Sequence, residues 1–172
     1  DTEGGFSVER VTQLAGADAS SVLEHLFVLK PTSFQEQKKV FDQLLTYLKK
    51  ELGLIVVDGM TILYRLDFAD ARAVSETALQ KTNSELARQM RILVEIARKH
   101  DVPVLVTNQV YHWGDEVKMV GGDVLQYWGK CLLELTCEQS KRIVILRKHR
   151  SLPEKQLAFS VVHEGIKKQG WL

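Results

Sequence analysis

The sequence predicts an α/β fold, in which a parallel core of strands and helices is followed by a run of antiparallel strands. The 172 residues, 45% hydrophobic and 26% charged, suffice for one domain with a substantial core and exclude disorder as a description of its bulk. Long stretches with helical spacing alternate with short runs that are apolar at every position, as expected of strands covered on both faces. That alternation stops near residue 130, after which only strand-like segments follow. A single domain covering 1–172 is the expectation.

Ser7, followed by Glu9, Arg10 and the apolar Val8, Val11 and Leu14, predicts a short helix ending near Gly16, with another turn of helix from Asp18. Leu26 to Leu29, bounded by Lys30-Pro31, reads as a buried strand. Ser33 opens a long helix: Glu36 stands at capping-box spacing, Phe34, Phe41, Leu44, Leu45 and Leu48 line one face, and Gly53 ends it. Leu54 to Val57 is a strand apolar on both faces, and Asp58 falls at its end. A second long helix, Ala73 to His100, carries Leu86, Met90, Leu93 and Ala97 at helical spacing and leads to a strand over Pro103 to Thr107. Tyr111 to Gly122 is polar and glycine-containing and reads as a mobile loop. Lys130 to Thr136, Arg142 to Lys148 and Gln156 to His163 are strands of an antiparallel extension.

Twenty-three Lys and Arg against 22 Asp and Glu give a net charge of +1, which removes a global electrostatic case for nucleic acid or anionic membrane. One local patch stands out: Lys141, Arg142, Arg147, Lys148 and Arg150 occur with no acid between 141 and 150, as either a solvated strand face or a nucleic-acid contact. No apolar run approaches the roughly 20 residues of a membrane-spanning helix. Asp1 to Gly5 lacks the basic and apolar regions of a secretory signal. Cys131 and Cys137 have no zinc spacing and read as free thiols, Cys131 as a buried strand residue; a cytoplasmic protein is expected. The histidines show no metal spacing, and no Ser-His-Asp or Cys-His arrangement can be argued. Trp128 reads as core, Trp113 as core or base-stacking, and Trp171 as terminal packing.

Ligands of open parallel sheets bind at the carboxyl ends of strands, which directs attention to Asp1-Thr2-Glu3, Asp58 and Asn108-Gln109. An acid directly after an apolar strand can hold magnesium, directly or through water, and a second carboxylate can align an attacking water.

The strings DTEGGFSVER (1–10), LIVVDGMTILYR (54–65), VLVTNQV (104–110), GGDVL (121–125) and LPEKQLAFSVVHEGI (152–166) resemble, in order and spacing, the RecA/RadA recombinase ATPase core. The short second loop and the lack of an additional domain are most similar to the small archaeal paralogues of that family. The resemblance implies a RecA-like P-loop NTPase core that binds ATP and Mg2+ and hydrolyses ATP weakly in a DNA-linked manner when complete. It gives Glu3 the role of polarising the attacking water and Gln109 that of sensing the γ-phosphate. It places Arg10 over the adenine ring, Asp58 as the magnesium-orienting acid of the Walker B strand, and Pro153 over a neighbour's nucleotide in a filament. Tyr111, His112, Trp113 and Lys118 would contact DNA from a second loop, and a first loop would lie near Arg65 to Arg72. Lys141, Arg142, Arg147, Lys148 and Arg150 would add to the DNA surface, with single strands preferred.

The sequence departs from that pattern at three places. The string G-x-x-x-x-G-K-[ST] does not occur, and Gly129-Lys130 does not supply it because Val124 and Cys131 occupy the flanking positions. Gly59 stands where a serine or threonine is common after the Walker B acid. The second loop is short. The expectation is therefore a chain lacking the family's N-terminal strand and phosphate loop. Its partners would be DNA, a recombinase or other repair protein, and copies of itself, with no membrane. The alternative is a nucleotide-independent DNA-binding mediator that contacts a full recombinase.

Overall fold

Local sequence sets most element boundaries in the computed structural model, which describes residues 1–47, 52–114, 116–138 and 141–169. Helix α1 (Val8–Ala15) begins where the Ser7 hydroxyl accepts the Arg10 N–H at 3.0 Å and ends at Gly16, whose N–H donates to the Thr12 carbonyl. A 3-10 turn (Gly16–Asp18) leads into α2 (Ala19–Glu24). Helix α3 (Phe34–Tyr47) starts at Ser33, whose hydroxyl accepts the Glu36 N–H, while the Glu36 carboxylate reaches back to the Thr32 N–H at 2.8 Å and the Thr32 hydroxyl at 2.9 Å. The expected helix end at Gly53 and the packing of Leu45 and Leu48 lie outside what is described. Then come β1 (Ile55–Val57), α4 (Ile62–Val74), α5 (Glu76–His100), β2 (Val104–Val106), β3 (Val110–Trp113), β4 (Glu116–Met119) and α6 (Asp123–Trp128). The chain continues as β5 (Leu132–Glu138), β6 (Lys141–Lys148), β7 (Lys155–Val162) and β8 (Gly165–Lys168). Among the described residues no helix is long and apolar enough to cross a membrane.

These elements form two compact units. The first comprises Asp1–Phe6 and Val28–Trp128. Its core is Phe34, Phe41, Met60, Leu63, Tyr64, Leu86, Met90, Leu93, Val120 and Leu125, drawn from α3, α4, α5, α6 and the segments between them. Burial of this set supplies the main driving force for packing those helices. Strand β1 pairs in parallel with β2, Ile55 opposite Val104 and Val57 opposite Val106, and these four residues pack on the core. The second unit comprises Ser7–Phe27 and Gly129–Leu172. Its strands β5-β6-β7-β8 form an antiparallel meander in sequence order. Ile143, Ile145 and Ala158 are buried on one face of that sheet. Leu133, Leu135, Val161 and Ile166 lie exposed on the other.

Several expectations are corrected. The parallel sheet has two strands among the described residues, and its second face is open: Val56 and Leu105 are each about half exposed, so only alternate residues of these runs are covered. Leu26 to Leu29 is irregular, with Phe27 72% exposed, because no strand pairs with it among the described residues. The helix expected from Ala73 is broken at Ser75, whose extended backbone and hydroxyl cap α5 by accepting the Ala78 N–H. Arg65 to Arg72 belongs to α4 and is no loop, since Tyr64 packs between Phe34 and Phe68, with ring centroids 5.8 and 5.5 Å away, and donates to Asn83 at 2.7 Å. Tyr111 to Gly122 is a hairpin with a following turn: Val110–Trp113 pairs antiparallel with Glu116–Met119, and its Val, Tyr and Trp residues favour extended backbone despite the polar composition. Cys131 is exposed, since it precedes β5 and does not sit within it. Trp128 is partly buried against the core, as expected, and Trp171 lies outside the described residues.

Candidate functional site

The polar residues that follow the strands of the first unit converge on Gly59. The Asp1 carboxylate folds the first turn around itself by accepting the N–H groups of Gly4 at 2.8 Å, Gly5 at 3.2 Å and Phe6 at 3.3 Å. That turn is fastened to the end of β1 through Thr2. The Thr2 N–H donates to the Asp58 carbonyl at 2.7 Å, its hydroxyl donates to the Gly59 carbonyl at 2.7 Å, and the same hydroxyl accepts the Gly59 N–H at 2.9 Å. Glu3 is thereby held beside the strand end. Its Oε1 lies 3.0 Å from the position a Cβ on Gly59 would occupy, and the Thr107 hydroxyl oxygen lies 3.3 Å from the same point. A serine or threonine at this position would require the exposed Glu3 carboxylate to give slightly. The Asp58–Gly59 peptide bond is cis.

Strand β2 supplies the third side. The Thr107 N–H donates to the Val57 carbonyl at 3.0 Å, its carbonyl accepts the Met60 N–H at 3.0 Å, and its hydroxyl donates to Asp58 Oδ1 at 2.6 Å. Asn108 accepts the Thr61 hydroxyl and donates to the Val120 carbonyl at 2.9 Å. Half-buried Gln109 stands directly before the β3-β4 hairpin, and its carbonyl accepts the Val120 N–H at 3.0 Å. The structure thus brings the Glu3, Asp58 and Gln109 segments together. Sequence reasoning missed the hydroxyls of Thr2 and Thr107; the available signal was a hydroxyl residue next to each acid or closing a strand.

Chemically, the arrangement presents two exposed carboxylates, Glu3 and Asp58, at one strand end. Among the described residues no group of three or more His, Cys, Asp or Glu is placed to hold a metal ion. A divalent cation here would rest on Asp58, water and a ligand's own oxygens, an oxygen-only set that suits magnesium. The exposed carboxylates of Asp58 and Glu3 suit a hydrated cation and a water; no G-x-x-x-x-G-K-[ST] string occurs among these 172 residues.

Tyr111, His112, Trp113 and Lys118 are all exposed on the hairpin. The register pairs Tyr111 with Lys118 and Trp113 with Glu116, so both aromatics share one face with that lysine, whose ammonium pairs with Glu116 at 3.3 Å. Arg65 and Arg72 are exposed on α4. In the second unit the Arg10 guanidinium donates to the carbonyls of His163 at 2.9 Å and Val162 at 3.2 Å and to Gln13, tying α1 to the β7-β8 turn. Pro153 is exposed between β6 and β7. Lys141, Arg142, Arg147 and Lys148 lie exposed on β6 with Arg150 just beyond. Arg147 is engaged by Glu134 at 2.6 Å and Glu154 at 2.8 Å, so the acid-free sequence stretch is partly neutralised by neighbouring segments.

The Rad51 family profile matches residues 1–169. The chain is 39% identical over 177 aligned positions to the DNA repair and recombination protein RadB of Methanobrevibacter smithii, an alignment covering 96% of this chain and 72% of that protein. It is 36% identical to proteins of the same description from Methanocaldococcus jannaschii and Methanothermobacter thermautotrophicus, covering 96% of this chain in each case and 76% and 72% of those proteins.

Proposed function

The chain belongs to the Rad51 family, and on that premise we propose that it is a DNA repair and recombination protein that binds Mg2+-ATP and single-stranded DNA, with slow, DNA-linked hydrolysis. One observation carries the reading: the Thr107 hydroxyl, which holds the Asp58 carboxylate, lies with Glu3 Oε1 around Gly59, and the strand before Thr107 runs on into an exposed aromatic hairpin. Bound Mg2+-ATP supplies the electrophilic phosphorus and the leaving group. Asp58, oriented through one oxygen by the Thr107 hydroxyl, leaves the other to meet a hydrated cation. Glu3 accepts a hydrogen bond from water and holds it for in-line attack. The Gln109 amide senses the nucleotide, and its main chain passes the displacement to the hairpin through the bond with Val120.

Tyr111 and Trp113 offer stacking faces for unpaired bases, and Lys118 offers a charge for phosphate. Arg65, Arg72, Lys141, Arg142, Arg147, Lys148 and Arg150 are further candidate contacts, Arg147 being ion-paired with Glu134 and Glu154. Arg10 toward adenine and Pro153 toward a neighbouring copy complete the reading, with a recombinase or another repair protein as partner and the DNA-containing cytoplasm as its place of action. The exposed aromatic hairpin, which offers its stacking faces without a nucleotide, keeps a second reading, a mediator that binds DNA without nucleotide and contacts a full recombinase.

Phosphate release by the full chain, with and without single-stranded oligonucleotide, separates the two. The expected result is slow release, raised by the oligonucleotide and lost in Glu3→Gln while ATP binding is retained. Unchanged turnover in that variant removes Glu3 from its role. Oligonucleotide binding that falls steeply with salt and ignores ATP, with no phosphate release, decides for the mediator.

A further inference from the structure

Beneath the Gly59 site, the core of the first unit contains a polar chain that the proposed chemistry does not use. Gln37 on α3 and Gln89 on α5 are 1% and 0% exposed. Gln37 Nε2 donates to Gln89 Oε1 at 2.8 Å and to the Met60 carbonyl at 3.2 Å. Both partners are acceptors, so the orientation of the Gln37 amide is fixed and its Oε1 faces away from them. Among the described residues that oxygen is buried with no hydrogen-bond partner. Gln89 Nε2 in turn donates to Glu85 at 3.0 Å, Glu85 accepts from Arg88 at 2.8 and 2.9 Å, and Arg88 pairs with Asp42 at 2.8 Å. Burial pushes the Glu85 carboxyl up, but the hydrogen bonds from Arg88 and Gln89 outweigh it and hold the group below the usual range. The charged end of the chain therefore stays ionised at neutral pH.

A buried amide oxygen left without a partner costs stability that an apolar side chain at this position would not. Its position offers a reason for it. Met60 is fully buried, its N–H is held by Thr107 and its carbonyl by Gln37, and it lies two residues after Asp58. We propose that Gln37, fixed in place by Gln89, is a positioning residue: by holding the Met60 carbonyl it keeps the 58–61 turn in register with Thr2 and Thr107, and so orients Asp58 and Glu3. This rests on the reading of Asp58 and Glu3 given above, and the test separates the two.

Amide hydrogen exchange on the full chain reads the turn directly at Thr2, Gly59, Met60 and Thr107, and Mn2+ serves as the probe for a divalent cation at Asp58. In Gln37→Leu/Gln89→Leu, which removes both buried amides and leaves the Met60 carbonyl without its donor, the melting temperature should fall modestly. Exchange at those four amides should rise about tenfold with α5 unaffected. Mn2+ affinity should fall several-fold. Wild-type exchange at the four amides in the double variant overturns the proposal. So does a uniform rise across α3 and α5, the signature of a purely structural pair. If wild-type protein takes up no Mn2+, the cation role of Asp58 fails by itself, and the exchange result alone decides on Gln37.

Discussion

At Gly121 the backbone φ is +83°, and a Cβ there would lie 2.6 Å from Leu125 Cδ1 and 3.0 Å from Leu86 Cδ2. Both neighbours are core residues with little room to retreat. Gly121→Ala should therefore cost about 1–3 kcal/mol, from combined crowding and backbone strain, read as a lower urea midpoint at unchanged slope. At Gly59 the near neighbour is instead the end of the exposed Glu3 side chain, which can shift. At this scale the acids were legible in the sequence, because an acid after an apolar run marks itself. The hydroxyls that hold them were not. Nothing in the linear order says that Thr2 meets Gly59, 57 positions away, or that Thr107 meets Asp58 across 49.

The start of α3 is an element whose stability titrates. The Thr32 backbone N–H, and after it the Thr32 hydroxyl, hold the exposed Glu36 carboxyl below its ordinary range. A carboxyl lowered in the folded state contributes stability that is present above the ordinary range and lost as pH falls through the lowered value. Protection of the Thr32 amide, taken relative to its intrinsic exchange rate at each pH, should accordingly fall in acid in the wild type. In Glu36→Gln, which cannot titrate, that acid-dependent step should vanish. Elements opened by such caps, α1 and α3, were readable, as was the apolar face of α5 through Leu86, Met90 and Leu93. The β3-β4 hairpin was not. Its glycines and charges outweighed the alternation of Val110, Tyr111 and Trp113, because a hairpin exposed on both faces has no hydrophobic period to announce it. Leu26 to Leu29 failed in the opposite sense: an apolar run is a strand only where a partner strand receives it.

For the whole molecule, the α/β class, the parallel pairing of β1 with β2 and the antiparallel meander were all implied by the order of patterns along the chain. The division into two compact units was not, because composition does not change where the units meet in sequence. Nor does a net charge of +1 reveal that the charges of β6 are distributed unevenly, with Arg147 tied to Glu134 and Glu154. The meander also leaves Leu133, Leu135, Val161 and Ile166 on one face at exposures between 52% and 72%. Such a surface should take up an environment-sensitive apolar dye such as ANS in the fully native state. Enhanced dye fluorescence at neutral pH, alongside an intact near-ultraviolet circular dichroism spectrum, is the expected result, and replacing Leu135 and Ile166 with Thr should diminish it. Dye uptake, the usual sign of a partly unfolded globule, would for this protein report a well-folded one.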